Sequence, residues 1–466
     1  MKRRDFVSLV TMAMGTSVLW SCRKDFMDSS ELLMAKPGGG TVGSRFPLKI
    51  PAPVSPISSL PYLLSSAPAT SDLGGGLMSN VWAYNGQFPG PTFIATKGDK
   101  VQIDLVNNLP EETITHWHGM LVDHHNDGQP MQAIKPGETY NYDYVVNQSA
   151  CLNFYHPHPH MLTGKQVYLG QAGAFIIRDS EENGLNLPKG KYEVPLIIRD
   201  ATLDSYNNLS YKPSSGGMFG KIPLVNGTRS PYLDVERAVY RFRILNGANS
   251  RIFGLALSNN APFKLIGNDG GLLATASNHT RIDISNGERL DVLVDFRDLS
   301  NGTKIMLRDM RSGWDLLEFR VTGNTVVNSD VMSLTSLSSI TALQSPITTR
   351  TFSFDAMSKI NGKVYNMDRI DFQVPFQTTE RWRFRSNGNA PHPVHIHGAS
   401  FQVEARSGGR NQVFPWERGW KDTVLLEDKE TVDVLIRFDA FKGMYLIHCH
   451  KLEHEDMGMM ANFEVV

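Results

Sequence analysis

The sequence has little net charge and few cysteines, and both scarcities limit what the protein can be. Its 46 Lys and Arg residues nearly balance 47 Asp and Glu residues, giving a formal charge of -1. So small a charge gives no argument for binding nucleic acid or an anionic membrane surface. Cysteine occurs only at Cys22, Cys151 and Cys449. An exported protein can pair the last two, but Cys449 is better used as a metal ligand, and Cys151 is interpreted as a small buried residue.

Long hydrophobic runs and long amphipathic helical patterns are also scarce. Beyond residues 1–22, no stretch is long and apolar enough to span a bilayer. The chain has 40 glycines and 25 prolines, and its short apolar runs are broken by Asn-Gly and Pro-Gly turns. This pattern favours β-structure. The 466 residues are enough for two to four domains.

The N-terminus reads MKRRDFVSLVTMAMGTSVLWSC and predicts an export signal, with a basic start, an apolar middle and a small residue before Cys22. Arg3-Arg4 followed by Phe6 resembles a twin-arginine signal, which carries folded proteins to the periplasm or cell envelope. LWSC resembles a bacterial lipobox, in which Cys22 would accept a lipid, although Trp20 fits poorly. The alternative is ordinary cleavage nearby without a lipid anchor. Residues 1–45 are therefore predicted to be an export signal followed by a flexible, glycine-rich tether.

Three segments of the chain resemble one another at intervals of about 140 residues. They begin at Val81, Ile222 and Ile360, and each has an Asn-Gly turn, an extended run and an alternating strand. The recurrence predicts three copies of one β-domain, and the alternation predicts Greek-key sandwiches. We predict an all-β fold with domains at 46–180, 181–345 and 346–466, joined by the connectors 179–190 and 333–349.

The run YLIHCHKLEHEDMGMM, residues 445–460, gathers three kinds of metal donor. Its first part predicts a strand, on which His448 and His450 share one face and Cys449 takes the other. One strand would thus supply ligands to two metal sites. A thiolate, two imidazoles and a weak axial methionine form a blue-copper centre, whereas cysteine and histidine suit zinc equally well. Within local reach are Cys449, His454 and one of Met457, Met459 or Met460, and a further histidine must come from elsewhere.

The histidines are concentrated in four short regions that hold 13 of the 14. These regions are HWHGMLVDHH (116–125), HPHPH (156–160), HPVHIH (392–397) and HCHKLEH (448–454). The first two lie in the first predicted domain and the last two in the third. Each contains a His-X-His, which on an extended chain projects both imidazoles to one side. Four such pairs supply enough imidazoles for a multinuclear cluster between the two outer domains, whereas a mononuclear zinc enzyme uses three protein ligands.

These regions resemble the copper signatures of the three-domain multicopper oxidases, a family of laccases, spore-coat laccases, bilirubin oxidases and periplasmic cuprous oxidases. The resemblance lies in THWHG, FYHPHPH, HPVHIHG and HCHKLEHEDMGMM, and extends to WKDTV (420–424), NGKVYNM (361–367) and LVNG (224–227). It covers the chain from about Phe46 to Val466 and is weaker between the motifs. It implies three consecutive cupredoxin-like Greek-key β-sandwich domains, dioxygen as electron acceptor, and four coppers per chain.

Position by position, the resemblance implies ligands for one type 1, one type 2 and two type 3 coppers. The type 1 ligands are His392, Cys449 and His454, with Met459 as the axial ligand. The type 2 ligands are His116 and His395. One type 3 copper takes His118, His156 and His450, and the other takes His158, His397 and His448. In such a protein, one-electron oxidation of a reductant is coupled through Cys449 to the four-electron reduction of dioxygen to water.

Two acidic residues match positions that deliver protons in the family. Asp127 lies in HHNDGQP, and Glu455 follows His454. A carboxylate within hydrogen-bond reach of bound water can act as a general acid. The alternative is surface solvation, or for Asp127 a turn with the glycine that follows. His124, His125 and His160 have no ligand place and are interpreted as exposed or supporting residues, and His279 as a loop histidine.

The electron donor is a small-molecule reductant that the sequence defines less well. The family's cuprous oxidases carry a methionine-rich insertion in the third domain and acidic and methionine residues before the type 1 histidine. Here FSFDAMSKINGKVYNM follows the linker and NGNAP precedes His392. These departures favour phenols, aromatic amines or tetrapyrrole-like donors. The 19 methionines do not argue for copper as the substrate, because scattered methionines are usually core filler. The alternatives are a cuprous-ion oxidase in copper tolerance and a non-catalytic periplasmic copper-binding protein, although storage needs no cysteine between two cluster ligands.

Overall fold

The computed structural model describes residues 43–388 and 391–466. The predicted export signal, Cys22 and nearly all of the predicted tether lie outside the described residues. The described part consists mainly of strands with three short α-helices, which confirms the predicted all-β class. No helix in this part of the chain is long and apolar enough to cross a membrane.

The first group of strands forms two sheets. Its elements are β1 (Phe46–Pro47), β2 (Pro53–Val54), β3 (Tyr62–Asp72), β4 (Met78–Tyr84), β5 (Thr92–Thr96), β6 (Lys100–Asn107), β7 (Thr115–His118), β8 (Thr139–Val145), β9 (Leu152–Pro157), α1 (Thr163–Leu169) and β10 (Gly173–Arg178). One sheet has the order β4-β3-β6-β8 and the other β2-β5-β10-β9-β7. β1 leaves this group and pairs with a strand of the second.

The second group follows α2 (Ser180–Gly184). Its strands are β11 (Glu193–Ala201), β12 (Ile222–Val225), β13 (Thr228–Arg229), β14 (Pro231–Arg237), β15 (Val239–Asn246), β16 (Phe253–Leu257), β17 (Phe263–Asn268), β18 (Gly271–His279), β19 (Ile282–Ile284), β20 (Arg289–Asp295), β21 (Lys304–Asp309) and β22 (Trp314–Thr325). The sheets have the orders β13-β12-β11-β15-β20-β17-β18 and β1-β14-β22-β21-β16-β19.

The third group ends the chain. Its elements are β23 (Thr349–Asp355), β24 (Lys359–Ile360), β25 (Ile370–Val374), β26 (Thr379–Ser386), β27 (His392–Ile396), β28 (Phe401–Gly408), β29 (Thr423–Leu426), β30 (Glu430–Arg437), β31 (Gly443–Cys449), α3 (Leu452–Asp456) and β32 (Met460–Val465). The sheets have the orders β24-β23-β26-β30-β28 and β25-β32-β31-β27-β29.

The same pairing pattern recurs in all three groups. The opening long strand pairs in parallel with the strand that closes the repeated segment, as β3 with β6, β11 with β15 and β23 with β26. The last strand also pairs in parallel with an earlier one, as β10 with β5, β22 with β14 and β32 with β25. The three segments that look alike in sequence therefore occupy equivalent places in the sheets.

Each group is a sandwich, because side chains from its two sheets pack into one core. Each core contains residues of both sheets, namely Ile103 and Phe93 in the first, Leu196 and Phe319 in the second, and Phe384 and Phe463 in the third. The predicted boundaries at 180 and 345 stay predictions. The strands nearest to them end at Arg178 and begin at Glu193, and end at Thr325 and begin at Thr349.

Candidate metal centre

Two antiparallel strand pairs position the histidines. In the first sandwich, β7 pairs with β9 so that His116 lies opposite His156. In the third, β27 pairs with β31 so that His395 lies opposite His448. Since alternate side chains of a strand share a face, each strand pair presents its histidines on one side.

The two members of each His-X-His lie close together. Ring centroids are 5.8 Å apart for the pair that begins at His116, 6.0 Å for His156, 4.9 Å for His395 and 5.8 Å for His448. The structure thus brings each predicted pair to one side of its chain segment.

The first and third sandwiches meet at these histidines. The ring of His116 stacks on that of His397 at 3.8 Å, and the ring of His118 stacks on that of His395 at 3.7 Å. All eight imidazoles of the four pairs are at most 4% exposed. A single buried cluster therefore contains ligand-type side chains from both ends of the chain.

Several ring nitrogens face one another at distances that suit a shared metal ion. Nε2 of His116 lies 3.4 Å from Nε2 of His395. Nε2 of His448 lies 3.4 Å from that of His158 and 3.1 Å from that of His397. Two nitrogens that are each about 2.0 Å from a tetrahedral metal ion are about 3.3 Å apart. These two sets match the predicted type 2 pair and one predicted type 3 trio.

The other predicted trio is His118, His156 and His450. The nitrogens Nδ1 of His118, Nε2 of His156 and both ring nitrogens of His450 are buried without a hydrogen-bond partner among the described residues. The ring of His450 lies 4.8 Å from that of His118 and 5.2 Å from that of His156. Buried polar atoms are rarely left unpaired, so these atoms suit a metal ion. The donor atoms of His118 and His156 also converge with one of His116, a member of the predicted type 2 pair.

The thiolate site lies on the other face of β31. Sγ of Cys449 is 3.5 Å from Nδ1 of His392 and 3.7 Å from Nδ1 of His454, and the two nitrogens are 3.2 Å apart. Met459 is fully buried and packs in the same core as Cys449, whereas Met460 packs with Tyr365 in a separate cluster. This packing favours Met459 as the axial ligand.

Asp127 and Glu455 both contact the cluster. Oδ2 of Asp127 lies 2.7 Å from Nδ1 of His397. The carboxylate of Glu455 lies 3.2 Å from Nδ1 of His448 and 3.5 Å from Nδ1 of His158. Asp127 is followed by Gly128, whose φ is +74° and whose Cβ, if it had one, would lie 1.9 Å from a backbone oxygen, so the turn requires glycine.

Burial sets the protonation of these groups. Desolvation lowers the pKa of His156 to about 3 and that of His158 to about 4, which favours the neutral imidazole that binds metals. Burial raises the pKa of Asp127 to about 8 and that of Cys449 to about 12. Burial also acts to raise the pKa of Glu455, but the neighbouring imidazoles outweigh it and hold that pKa below its usual range.

Sequence reasoning missed three buried residues behind the cluster. Asp422 and Thr423 lie in the WKDTV segment and contact Nε2 of His118 at 3.1 Å and 3.0 Å. Arg289 of the second sandwich is ion-paired with Asp422. The resemblance of WKDTV to the family could have found the first two, but nothing in the local sequence marks the arginine.

The remaining histidines and Cys151 lie outside the ligand sets. His125 is exposed, and His124 and His160 are partly buried. His279, interpreted from the sequence as a loop histidine, is instead the last residue of β18 and packs edge-on against Trp416 at 5.5 Å. Cys151 is a free, buried cysteine in the core of the first sandwich.

A recess too narrow to admit a water molecule lies at one side of the cluster. It is lined by His116, Gly119, Leu121, His395 and Gly398, among others. The predicted type 2 pair lines this recess and is almost fully buried.

This chain is similar to known proteins in sequence and in fold. A family model described as multicopper oxidase matches residues 67–182, and a second with the same description matches residues 336–466. The chain is 36% identical over 413 residues to a multicopper oxidase of Staphylococcus haemolyticus, covering 87% of this chain and 88% of that protein. It is 30% identical over 465 residues to a laccase of Bacillus stratosphericus, covering 83% and 91%. A crystal structure of a multicopper oxidase from Aquifex aeolicus matches with a TM-score of 0.84 at 35% identity, covering 91% of this chain and 100% of that one.

Three sandwiches with a thiolate site joined to a histidine cluster define a metal-dependent oxidoreductase of cupredoxin-like fold. The chain belongs to the multicopper oxidase family. The predicted family, fold and enzyme class are thereby confirmed, and copper is the metal that the family implies.

Proposed function

We propose that the protein binds four coppers and couples the one-electron oxidation of phenols, aromatic amines or similar reductants to the reduction of dioxygen to water. The observation that carries the proposal is the strand position of Cys449. Its thiol lies in the thiolate site, while its chain neighbours His448 and His450 lie in the histidine cluster. Copper bound in both places would supply single-electron acceptance at the first and four-electron dioxygen reduction at the second.

Each proposed copper has its own donors. His392, Cys449, His454 and Met459 would hold the type 1 copper, and His116 and His395 the type 2 copper. His118, His156 and His450 would hold one type 3 copper, and His158, His397 and His448 the other. The backbone orients the rings, since Nδ1 of His116 contacts the carbonyl of Asp127 at 2.6 Å and leaves Nε2 for the metal.

The two carboxyl groups would supply protons at the cluster. Asp127 accepts from Nδ1 of His397 through Oδ2, and its Oδ1 has no hydrogen-bond partner among the described residues. That free oxygen can hold or release a proton beside the cluster. Glu455 lies beside His158 and His448, but these imidazoles hold its pKa below its usual range, so it would accept a proton and pass it on and not store one.

The surface beside the type 1 loop suits a bulky, partly apolar reductant. His392 and His454 are fully buried, so the reductant would give up its electron without touching either ring. Met457, three residues beyond His454, is 37% exposed, and the nearby Val364, which packs against Gly458, is 44% exposed. The same exposed thioether is a soft donor for Cu(I), which keeps cuprous-ion oxidation as the second candidate.

Metal analysis and a panel of reductants test the proposal. We expect four coppers per chain, and dioxygen uptake with phenols that is lost in the copper-free protein. One or two coppers per chain would contradict the cluster assignment.

Met457→Leu keeps the apolar surface but removes the sulfur. Unchanged phenol oxidation in this variant supports the proposal. If dioxygen uptake is instead seen only with Cu(I) as the reductant, and if this uptake falls in Met457→Leu, the protein is a cuprous-ion oxidase.

We also propose that the chain is exported to the periplasm or cell envelope. The basic start with Arg3-Arg4 and the apolar run before Cys22 support this. Either a lipid on Cys22 anchors the protein or cleavage nearby releases it. Cell fractionation and the intact mass of the mature protein decide between the two, with Cys22→Ala as the variant that removes the lipid acceptor. Recovery of the full-length chain in the cytoplasm would contradict export.

A further inference from the structure

A buried charge network lies between the second sandwich and the histidine cluster. Arg289, at the start of β20, is fully buried and makes a two-pronged ion pair with Asp422 of the third sandwich. Its Nη1 lies 2.6 Å from Oδ1 of Asp422. Nε of the same guanidinium donates to the carbonyl of Leu152, and Nη2 to the side chain of Asn153, both in the first sandwich. One arginine therefore joins all three sandwiches.

Asp422 connects this arginine to the rings of two proposed ligands. Its Oδ1 lies 3.1 Å from Nε2 of His118. Its backbone oxygen lies 2.8 Å from Nδ1 of His395. The residue thus contacts one ring from the first sandwich and one from the third.

The contact to His118 selects the ring nitrogen that faces the cluster. A carboxylate only accepts hydrogen bonds, so the proton of the neutral imidazole is held on Nε2. Nδ1 then carries the lone pair, and this buried atom has no hydrogen-bond partner among the described residues. The other rings with assigned backbone contacts, such as His116 and His156, hold the proton on Nδ1 instead.

Asp422 is itself within ligand distance of the cluster, grouped with His118 and His395. However, both of its oxygens accept from the guanidinium of Arg289, a planar fork that matches a carboxylate. The pairing keeps this carboxylate as a hydrogen-bond acceptor for His118 and away from the metals.

The backbone of the second sandwich also approaches the cluster at Gly287. A Cβ at this position would lie 3.0 Å from Nδ1 of His450 and 3.1 Å from Cε1 of His118. The φ of Gly287 is +80°, a conformation that favours glycine. The second sandwich therefore closes one side of the trio formed by His118, His156 and His450.

We infer that Arg289 is a positioning residue of the oxygen-reducing cluster, through which the second sandwich fixes Asp422 and directs Nδ1 of His118 at a type 3 copper. The inference rests on the ligand assignment proposed above. Removing groups that orient metal ligands typically weakens metal binding or activity about 10- to 100-fold.

Arg289→Lys tests this inference, because lysine keeps the charge but cannot pair with both carboxylate oxygens. We expect the near-ultraviolet absorption of the coupled copper pair to be lost, and copper to be released from the cluster at a chelator concentration about 10- to 100-fold lower than for the unaltered protein. The blue absorption of the type 1 site should be unchanged. Asp422→Asn should act in the same way, since an amide that donates to Nε2 places the proton on Nδ1.

Arg406→Lys is the matched control, because Arg406 is equally buried and ion-paired with Glu417 and Glu430 but contacts no proposed ligand. It should leave both absorption bands unchanged. A normal coupled-pair spectrum and normal copper retention in both Arg289→Lys and Asp422→Asn would overturn the inference. Loss of all bands and of folding in Arg289→Lys and in Asp422→Asn would overturn it too, by showing a purely structural role. Absence of a four-copper spectrum in the unaltered protein would instead contradict the proposed function.

Discussion

The two free cysteines of the described chain are both buried, yet only one has metal donors around it. Sγ of Cys449 lies within 3.5 Å and 3.7 Å of two imidazole nitrogens. Sγ of Cys151 faces the side chain of Asn153 at 3.5 Å, and burial raises its pKa to about 12. Burial alone therefore does not distinguish a ligand cysteine from a structural one, and the neighbouring donors do.

Cys449→Ser is expected to abolish the blue absorption and the oxidation of reductants while the protein stays folded. Serine replaces sulfur with a hard oxygen that type 1 copper does not prefer, and it is nearly the same size. The measurements are visible absorption, dioxygen uptake and circular dichroism.

Cys151→Ser makes the same exchange at the structural cysteine. It should keep both colour and activity, at a cost of about 1–3 kcal/mol if the hydroxyl stays unpaired. Oxidase activity that survives in Cys449→Ser would refute the electron route through this residue.

Asp127 is expected to act in dioxygen reduction and not in oxidation of the reductant. Its carboxyl contacts His397 of the cluster and lies in a different part of the site from Cys449. Asp127→Asn should slow turnover about 100-fold or more, the usual effect of losing a general acid. Anaerobic bleaching of the blue band by a phenol should keep its rate.

Asp123→Asn on the same loop is the control for this prediction. Asp123 accepts from the backbone of His125 and from Asn126 and touches no proposed ligand. Equal slowing of anaerobic bleaching and of turnover in Asp127→Asn would show that the residue acts on the structure of the whole site.

The four His-X-His pairs were predictable from the sequence, because on an extended chain their rings share a side, whereas the assignment of each ring to a copper came from the resemblance to the family. Arg289 was not predictable, since it lies more than 100 residues from either histidine group and only the fold brings it to Asp422. Spacing alone did not separate Met459 from Met460. The family resemblance chose Met459, and the packing, which puts Met459 in the core of Cys449 and Met460 in another cluster, agrees with that choice. Spacing finds donors within one segment, whereas contacts between sandwiches depend on how those sandwiches pack.

At the scale of single elements, α3 is held against the second sandwich by a buried acidic residue. Glu453 accepts from Asn249 at 2.7 Å, from the hydroxyl of Ser250 at 2.6 Å and from the backbone of Met218 at 3.0 Å. The helix carries His454, the next residue along the chain. These contacts therefore hold α3 against the second sandwich, and with it the proposed type 1 ligand His454.

Glu453→Gln is expected to destabilise the protein by about 1–3 kcal/mol, because an amide group then faces donors that need acceptors. The blue band should shift or weaken as the helix moves, and thermal unfolding together with visible absorption measures both effects. Glu464→Gln on the neighbouring strand β32 is the control, since it makes the same exchange at a less buried site. The free energy of unfolding of Glu464→Gln should stay within about 0.5 kcal/mol of that of the unaltered protein. An unchanged stability in Glu453→Gln would contradict the anchoring role.

At the scale of the whole molecule, metal binding should join the first sandwich to the third. Each proposed cluster copper takes ligands from both, and these ligands are brought together only in the folded chain. A ligand that binds only the folded state stabilises it by about 2.7 kcal/mol when present at 100 times its dissociation constant. Removal of copper by a chelator should therefore lower the unfolding temperature, and copper should restore it.

The stability of the copper-free protein should fall as the pH drops below about 6.5. Burial lowers the pKa of His156 to about 3 and that of His158 to about 4, so the unfolded chain takes up protons that the folded chain does not. The stability these rings contribute is thus complete above the unfolded pKa of 6.5 and is lost as the pH falls towards 4 and 3. Asp127, Asp269 and Asp456, whose pKa values burial raises, act in the opposite sense but are fewer than the buried histidines.

Denaturant unfolding of the copper-free protein between about pH 7 and pH 4 measures this loss, and His156→Gln should make the profile shallower because one buried imidazole is removed. His125→Gln, at an exposed histidine, should leave the profile unchanged. The stabilisation by added copper should shrink over the same range, because protons compete with the metal for the imidazoles. A profile that stays flat below pH 6.5 would mean that the histidines already bind protons in the folded chain, which is incompatible with a buried cluster held ready for metal.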